Sequence, residues 1–242
     1  MHSTKRTAKI SLVIPIFNEE ERAYNLYILW RYIKNKKYIK ELILVNDGST
    51  DKTLTLLKEF KKKARCKIIS YRKNKGKGYA VKKGVLSARG THIAFIDIDL
   101  STPPKMIGEL NKIIKNNDVI VGTRKNNNAI LLKRQAKMRE LMGTFFTSLS
   151  QRITGVEVSD FTCGFKCFRK RAALKIFSKQ RVDGWAFDAE SLFLAHKYGF
   201  SINELPVEWT NMKGTKVRFP QDAIQSFLDL IRIRINDILE KY

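Results

Sequence analysis

Two carboxylates at i and i+2, Asp97 and Asp99, close the apolar run Ile93-Ala94-Phe95-Ile96 and are followed by Ser101-Thr102-Pro103-Pro104. An unbroken series of β-branched and aromatic residues reads as a strand covered on both faces. Continued in extended form through Leu100, it places both acids on one side. Like charges so close repel unless a cation lies between them. Hard oxygen ligands at a strand end suit Mg²⁺ or Mn²⁺ carried in on a substrate diphosphate. The same pair could instead serve only as the strand exit and cap for a helix after Pro104.

Other chemistry-bearing residues recur at similar places. Asp47, in Asn46-Asp47-Gly48-Ser49, could accept a hydrogen bond from a nucleobase imide or a ribose hydroxyl, or could simply build an Asx-turn. Gly76-Lys77-Gly78 offers backbone N–H groups and a cation at a helix start, a cradle for a diphosphate, without being a Walker loop or a dinucleotide fingerprint. Asn18 and Glu19 follow Pro15-Ile16-Phe17. His2, His92 and His196 read as structural or solvated.

These residues need elements to hold them. Strands are expected over Ile10–Phe17, Glu41–Val45, Lys67–Tyr71, Ile93–Leu100 and Val119–Val121, the last ending in Gly122-Thr123-Arg124. Helices are expected from the acidic turn at Glu19 to about Lys36, around Leu54, Leu57 and Phe60, over Tyr79–Ala88 and over Lys105–Lys115. Strands alternating with helices imply an α/β fold with a mostly parallel, doubly wound sheet, in which ligands bind beyond the carboxyl ends of the strands. Every polar motif lies at such an end. Beyond Asn126 the pattern changes: an amphipathic helix over Ala129–Ile153 carries Met138, Leu141, Met142, Phe145, Phe146 and Leu149 on its apolar side. A loop and strand over Asp160–Phe168, a helix over Trp185–Tyr198, a strand over Ile202–Trp209 and a helix over Ala223–Leu239 follow. One domain over 1–242 is the expectation, with a ligand-binding half at about 9–125 and a second half at about 126–242 that finishes the site.

Composition bounds the partners. Lys and Arg number 47 against 23 Asp and Glu, a net charge of +24 that calls for an anionic partner. The basic residues form no nucleic-acid-reading motif and the aromatics fall at core spacing, so a nucleic-acid binder is disfavoured. Cys66, Cys163 and Cys167 show no zinc-ligand pattern and fit a reducing compartment. No apolar run approaches the ~20 residues of a membrane span and no signal peptide precedes the first strand, so a soluble or peripheral protein is expected. Arg and Lys beside Leu, Met and Phe over 124–152 suit an interfacial helix on an anionic membrane, or ordinary packing on the sheet; the final helix has the same ambiguity.

Four motifs in order, Val13-Ile14-Pro15-Ile16-Phe17-Asn18-Glu19, Asn46-Asp47-Gly48-Ser49-Thr50-Asp51, Asn74-Lys75-Gly76-Lys77-Gly78 and Asp97-Ile98-Asp99, resemble those of the family-two glycosyltransferases of GT-A fold. Downstream, Asp160-Phe161-Thr162-Cys163-Gly164-Phe165-Lys166, Trp185-Ala186-Phe187-Asp188-Ala189-Glu190, Pro206-Val207-Glu208-Trp209 and Lys213-Gly214-Thr215-Lys216-Val217 are similar to the polyprenyl-phosphate sugar transferases. The dolichyl-phosphate β-glucosyltransferase branch is nearer than the mannose synthases. The resemblance covers about Lys9 to Ile235. It implies that Pro15, Phe17, Glu19 and Asp47 line a nucleoside pocket and that Gly76 and Lys77 approach the nucleotide. Asp97 would contact the donor and Asp99 would take the Mg²⁺ or Mn²⁺, with Asp97 beside it. Arg124, Arg134, Arg139 and Lys216 would hold anionic groups including the acceptor phosphate, and Asp160, Asp188 and Glu190 would build the sugar and acceptor side.

The chain departs from the family pattern at Phe17 for Tyr, Asn46 for Asp, Phe161 for Thr, Thr162 for Gln and Ser101 for a Gln that mannose synthases use on the metal. The last favours the glucosyl branch. The implied activity is inverting transfer of a hexose, from UDP-glucose, to a dolichyl or polyprenyl phosphate, on the cytosolic face of a membrane and with a membrane-protein partner as an option. GDP-mannose as donor, or a saccharide acceptor with Asp188 or Glu190 as base, are the alternatives.

Overall fold

The computed structural model describes residues 8–242 except 136, 213, 215 and 219, and leaves the Arg139 side chain undescribed. Four consecutive parallel strands form half of the main sheet: β1 (Ile10–Ile16), β2 (Ile39–Asp47), β3 (Lys67–Tyr71) and β4 (His92–Ile96). β5 (Val119–Thr123), β7 (Phe165–Arg169) and β8 (Ile202–Pro206) complete it in the order β3-β2-β1-β4-β7-β5-β8. β7 alone is antiparallel, to β4 on one side and β5 on the other. A small second sheet pairs β6 (Ile130–Lys133) with β9 (Glu208–Thr210).

Alternate residues of the buried strands feed two cores. Leu12, Ile14, Leu42, Leu44, Ala94 and Ile96 pack with α1 (Asn25–Ile33), α2 (Thr53–Lys63) and α4 (Met106–Ile113). Val13, Ile43, Val45, Ile93 and Phe95 pack on the other face with α3 (Lys77–Leu86), α6 (Lys170–Lys179) and α7 (Phe187–Lys197). α5 (Lys137–Thr154) and α8 (Gln221–Ile238) complete that layer, through Phe146, Leu149 and Ile153, and through Leu230 and Ile233. The period-2 alternation of sides explains why these strands carry apolar residues at every position.

Five expectations need correction. The strand through the Asp pair stops at Ile96; Asp97–Leu100 is a turn, closed by Leu100 N–H to Asp97 O at 3.2 Å, with Leu100 at φ 52°. The helix expected from Ala129 begins at Lys137, because Ile130–Lys133 joins β9 instead. The strand expected over Ile202–Trp209 divides at Val207 into β8 and β9, which belong to different sheets. Finally, α6 lies where no helix was assigned. The first helix is also shorter, a 3₁₀ turn at Glu20–Arg22 preceding Asn25–Ile33.

β7 carries an unusual core residue. Lys166 is wholly buried, its Nζ 2.7 Å from Asp188 Oδ1 and donating to the carbonyls of Phe161 and Cys163 at 2.9 and 2.8 Å. It thereby fixes the turn that enters β7. Lys166→Met should cost about 3–5 kcal/mol by stranding a buried carboxylate. Lys166→Met with Asp188→Leu should recover much of that loss in urea unfolding, unless turn ordering by the ammonium dominates.

Candidate active site

The sheet order 3-2-1-4 reverses direction between β1 and β4, and the polar strand ends converge at the carboxyl edge of that switch point. Asp47 ends β2. Its Oδ1 accepts the Lys75 N–H at 2.9 Å, and its Oδ2 accepts the Asn74 side-chain amide at 2.8 Å and the Gly76 N–H at 3.0 Å. Burial pushes the Asp47 carboxyl up, and the Lys75 and Gly76 N–H groups, with the Tyr71 hydroxyl, pull against it. The carboxylate thus shapes the loop before α3. Gly76, at φ 104°, and Gly78 are required there: a Cβ would meet Asp183 O at 2.4 Å and Val182 O at 2.7 Å, respectively.

Lys77, at the start of α3, ion-pairs with Asp97 at 2.7 Å and lies over the Trp185 ring at 5.4 Å. Burial alone would lower this ammonium, but Asp97, Asp188 and Asp99 together hold it above the usual lysine range. Asp97 sits directly beneath Gly164, where a Cβ would come within 1.9 Å of Asp97 Oδ2, and its N–H donates to Gly164 O. β7 makes this possible: running antiparallel, it brings its entry turn to the same edge where β4 exits. Asp99 Oδ1 accepts the Ser101 N–H at 2.9 Å. Burial and then Asp97 raise the Asp99 carboxyl, against Ser101 and Lys77.

Glu19, between β1 and α1, is buried and forms a two-point pair with Arg22. Burial raises its carboxyl; Arg22 and Lys216 oppose that, and Asp99 is close enough to reinforce it. Lys216 also donates to Asn18 O. Pro15 is buried in β1 and Phe17 is half-buried at its exit.

Across the site, Arg124 follows β5. Its guanidinium binds both Asp160 oxygens at 2.6 and 2.9 Å, donates to Thr162 Oγ1, and lies over Trp209 at 5.3 Å. Asp160 is fully buried; burial would raise its carboxyl, but Arg124 holds it down at about 2. Thr123, Ser159 and Glu204 form a second line of hydrogen bonds behind this pair, at 2.6 Å each.

Glu19, Lys77, Asp97, Asp99, Asp188 and Arg124 therefore share one electrostatic neighbourhood. The remaining expected residues have other surroundings or lie outside the described residues. Arg134 is exposed beyond β6, and Arg139 belongs to α5 with its side chain outside the described residues, as are Lys213 and Thr215. Glu190 is buried and spends its oxygens on backbone N–H groups and a tyrosine hydroxyl. His92 lies at the opposite end of β4 from the Asp pair. Trp185 and Trp209, the ring partners of the two cations, are not marked as such by the sequence around them. Their proximity to Lys77 and Arg124 depends on tertiary contacts that local spacing does not express.

The donor set fits a divalent cation. Two hard carboxylates repel one another in a half-buried turn, and burial and then Asp97 raise the Asp99 carboxyl, a repulsion that a divalent cation between them would relieve. Among the described residues no group of three or more His, Cys, Asp or Glu could hold a metal, so phosphate oxygens and water would have to complete the coordination.

Residues 11–177 match glycosyl transferase family 2. The chain is 31% identical to a dolichyl-phosphate beta-glucosyltransferase of Dictyostelium discoideum over 95% of this chain and 75% of that protein. It is 33% identical to the Saccharomyces cerevisiae protein of the same name over 100% and 78%, and 30% identical to the human one over 95% and 76%. In fold it resembles glucosyl-3-phosphoglycerate synthase from Mycobacterium tuberculosis, solved with Mn²⁺ and UDP: TM-score 0.70, 16% identity, 93% of this chain and 80% of that one. TarS from S. aureus, solved with UDP-GlcNAc, gives a TM-score of 0.62 at 18% identity, over 94% and 67%.

The Arg124–Asp160 pair makes stability pH-dependent. A carboxyl held at about 2 stabilises the fold above its unfolded value near 4, and that stability is lost as pH falls through about 2. Asp160→Asn should remove about 2 kcal/mol of the stability difference between pH 2 and pH 5 seen in urea titrations. An unchanged pH profile would show that the pair is not holding the proton off.

With a GT-A sheet, its polar strand exits gathered at one edge, and relatives of that length and identity, the chain belongs to glycosyl transferase family 2 and is a glycosyltransferase.

Proposed function

We propose that the chain transfers glucose from UDP-glucose to a dolichyl or polyprenyl phosphate with inversion, as a single catalytic domain. The observation that carries this reading is the meeting of Lys77, Asp97 and Asp99 with the pinned Arg124 at one strand edge, in a chain whose relatives are named for this reaction.

A phosphate monoester has a second pKa of about 6, so a lipid phosphate is largely dianionic at neutral pH. Its oxygen can attack the anomeric carbon as the bond to the nucleoside diphosphate breaks, without a strong general base. What the reaction needs is placement of two anions that repel one another, and stabilisation of the departing charge. Asp47 shapes the 74–78 loop, whose N–H groups and Lys77 suit the donor diphosphate. Pro15, Phe17, Glu19 and Asp47 border the nucleoside side. Asp97 and Asp99 would hold Mg²⁺ or Mn²⁺, which when bound supplies Lewis-acid stabilisation of the leaving diphosphate. Arg124, immobilised by Asp160 and Trp209, faces the acceptor side, with Lys216 and the basic 134–139 segment as further cation sources. Asp188 is ion-paired to Lys166 and supports Lys77 electrostatically.

The acceptor is a lipid, and the surface accords with that. No helix among the described residues is long and apolar enough to cross a membrane. α5 nevertheless exposes Met138, Leu141 and Phe145, while α8 exposes Ile224, Leu228, Ile231, Ile235 and Ile238. With a net charge of +24, these rows favour peripheral docking on an anionic, cytosol-facing bilayer. Leu141→Glu with Ile231→Glu should abolish cosedimentation with phosphatidylserine vesicles without unfolding the chain. Retained binding would remove these helices as the docking surface.

Transfer itself is tested with purified protein, Mg²⁺ or Mn²⁺, a short polyprenyl phosphate and either UDP-glucose or GDP-mannose. Metal-dependent glycolipid is expected from UDP-glucose, reduced by at least about 100-fold in Asp99→Ala. Product from GDP-mannose alone would move the reading to the mannose branch. Transfer only to a saccharide would defeat the phosphate-nucleophile mechanism.

A further inference from the structure

The donor loop rests on a wall formed by residues 180–185. Asp183 O accepts the Tyr79 N–H at 3.2 Å, and Lys82 of α3 reaches Gln180 O at 2.6 Å. Gly76 and Gly78 lie so close to this wall that no side chain fits at either position. The wall has no regular secondary structure of its own, joining α6 to α7. Its backbone donors must therefore be satisfied by something else.

Glu190 does this. From α7, where it is completely buried, it accepts the N–H groups of Arg181 at 3.0 Å and Val182 at 2.8 Å, and the Tyr242 hydroxyl at 2.6 Å. Arg181 in turn donates through Nε and Nη2 to Lys241 O at 3.2 and 3.1 Å, so the residues after α8 grip the same wall. At the far end of the wall, the Trp185 indole N–H donates to Asp222 of α8 at 3.1 Å, and the same ring lies under Lys77.

We propose that Glu190, braced by Tyr242, is a positioning residue for nucleotide-sugar binding: it fixes the 181–183 backbone against which Gly76, Lys77 and Gly78 are set. This rests on the reading of the 74–78 loop as the donor site. It also argues against Glu190 as a base, because its oxygens are committed to two backbone N–H groups and a tyrosine hydroxyl. The carboxylate contributes by geometry: its two oxygens span consecutive N–H groups, leaving no slack for the loop to retreat from the donor.

Tyr242→Phe, which removes one hydroxyl at a partly exposed ring, and Glu190→Gln test this by two readouts. Hydrogen–deuterium exchange is expected to be at least about threefold faster at residues 75–79 in both variants, with α4 at 106–113 unchanged. In turnover, the donor KM is expected to rise roughly three- to tenfold while kcat and acceptor KM stay within about twofold. Faster exchange confined to 181–190, or an unchanged donor KM with normal exchange at 75–79, would overturn the proposal. So would a hundredfold fall in kcat at constant KM, which would mark Glu190 as a reacting group. Should Glu190→Gln not fold, Tyr242→Phe decides alone. If wild-type protein used neither UDP-glucose nor GDP-mannose, the functional reading would fail, while exchange at 75–79 would still decide whether the brace exists.

Discussion

The contact on which the site depends is Asp97 held between Lys77 and Gly164 at the exit of the middle strand. Lys77 comes from a helix start, Gly164 from the turn entering an antiparallel strand, and Asp97 from β4. Three segments far apart in sequence meet over a few ångströms because a missing side chain at Gly164 lets a carboxylate pack against backbone. Once Asp97 is fixed, the turn that follows brings Asp99 close to it, where burial and then the Asp97 charge raise the Asp99 carboxyl and Lys77 opposes them.

Much of the surrounding polar structure consists of buried charges held by their own partners. Asp47 is buried but receives three donors from the loop it shapes. Asp160 is buried but bound at two points by Arg124, and Glu19 is bound at two points by Arg22. Lys166 is buried without solvent and is satisfied by two carbonyls and Asp188. Each charge near the edge is oriented by a partner before substrate arrives, and preorganised charge of this kind stabilises developing anionic charge without reorganisation.

The two long late helices play a different part. α8 turns Leu230 and Ile233 inward together with the polar Asp222, Ser226, Asp229 and Asn236, and leaves an apolar row outward. An exposed apolar row of that length is unusual on a surface helix that also packs on the core. α5 divides its apolar residues: Phe146, Leu149 and Ile153 pack on the core, while Met138, Leu141 and Phe145 remain exposed. Helical periodicity alone does not separate these two rows.

The strand-exit motifs, the α/β alternation and the family were legible in the sequence, because buried parallel strands leave continuous apolar runs and chemistry collects where those runs end. Asp47, Lys77, Asp97 and Asp99 could be named from local context alone. The antiparallel insertion of β7 could not, since strand direction depends on pairing with β4 and β5 rather than on any local period. Nor could the division of Ile202–Trp209 between two sheets, the capture of Ile130–Lys133 by β9, or the end of β4 at Ile96, each decided by which neighbour was available for backbone hydrogen bonds. Glu190 and Asp188 share a motif two residues apart, yet one braces a loop through backbone N–H groups and the other balances a buried lysine. Their residue types determined that each would carry a carboxylate; only the packing of α7 against its neighbours decided what each carboxylate would meet.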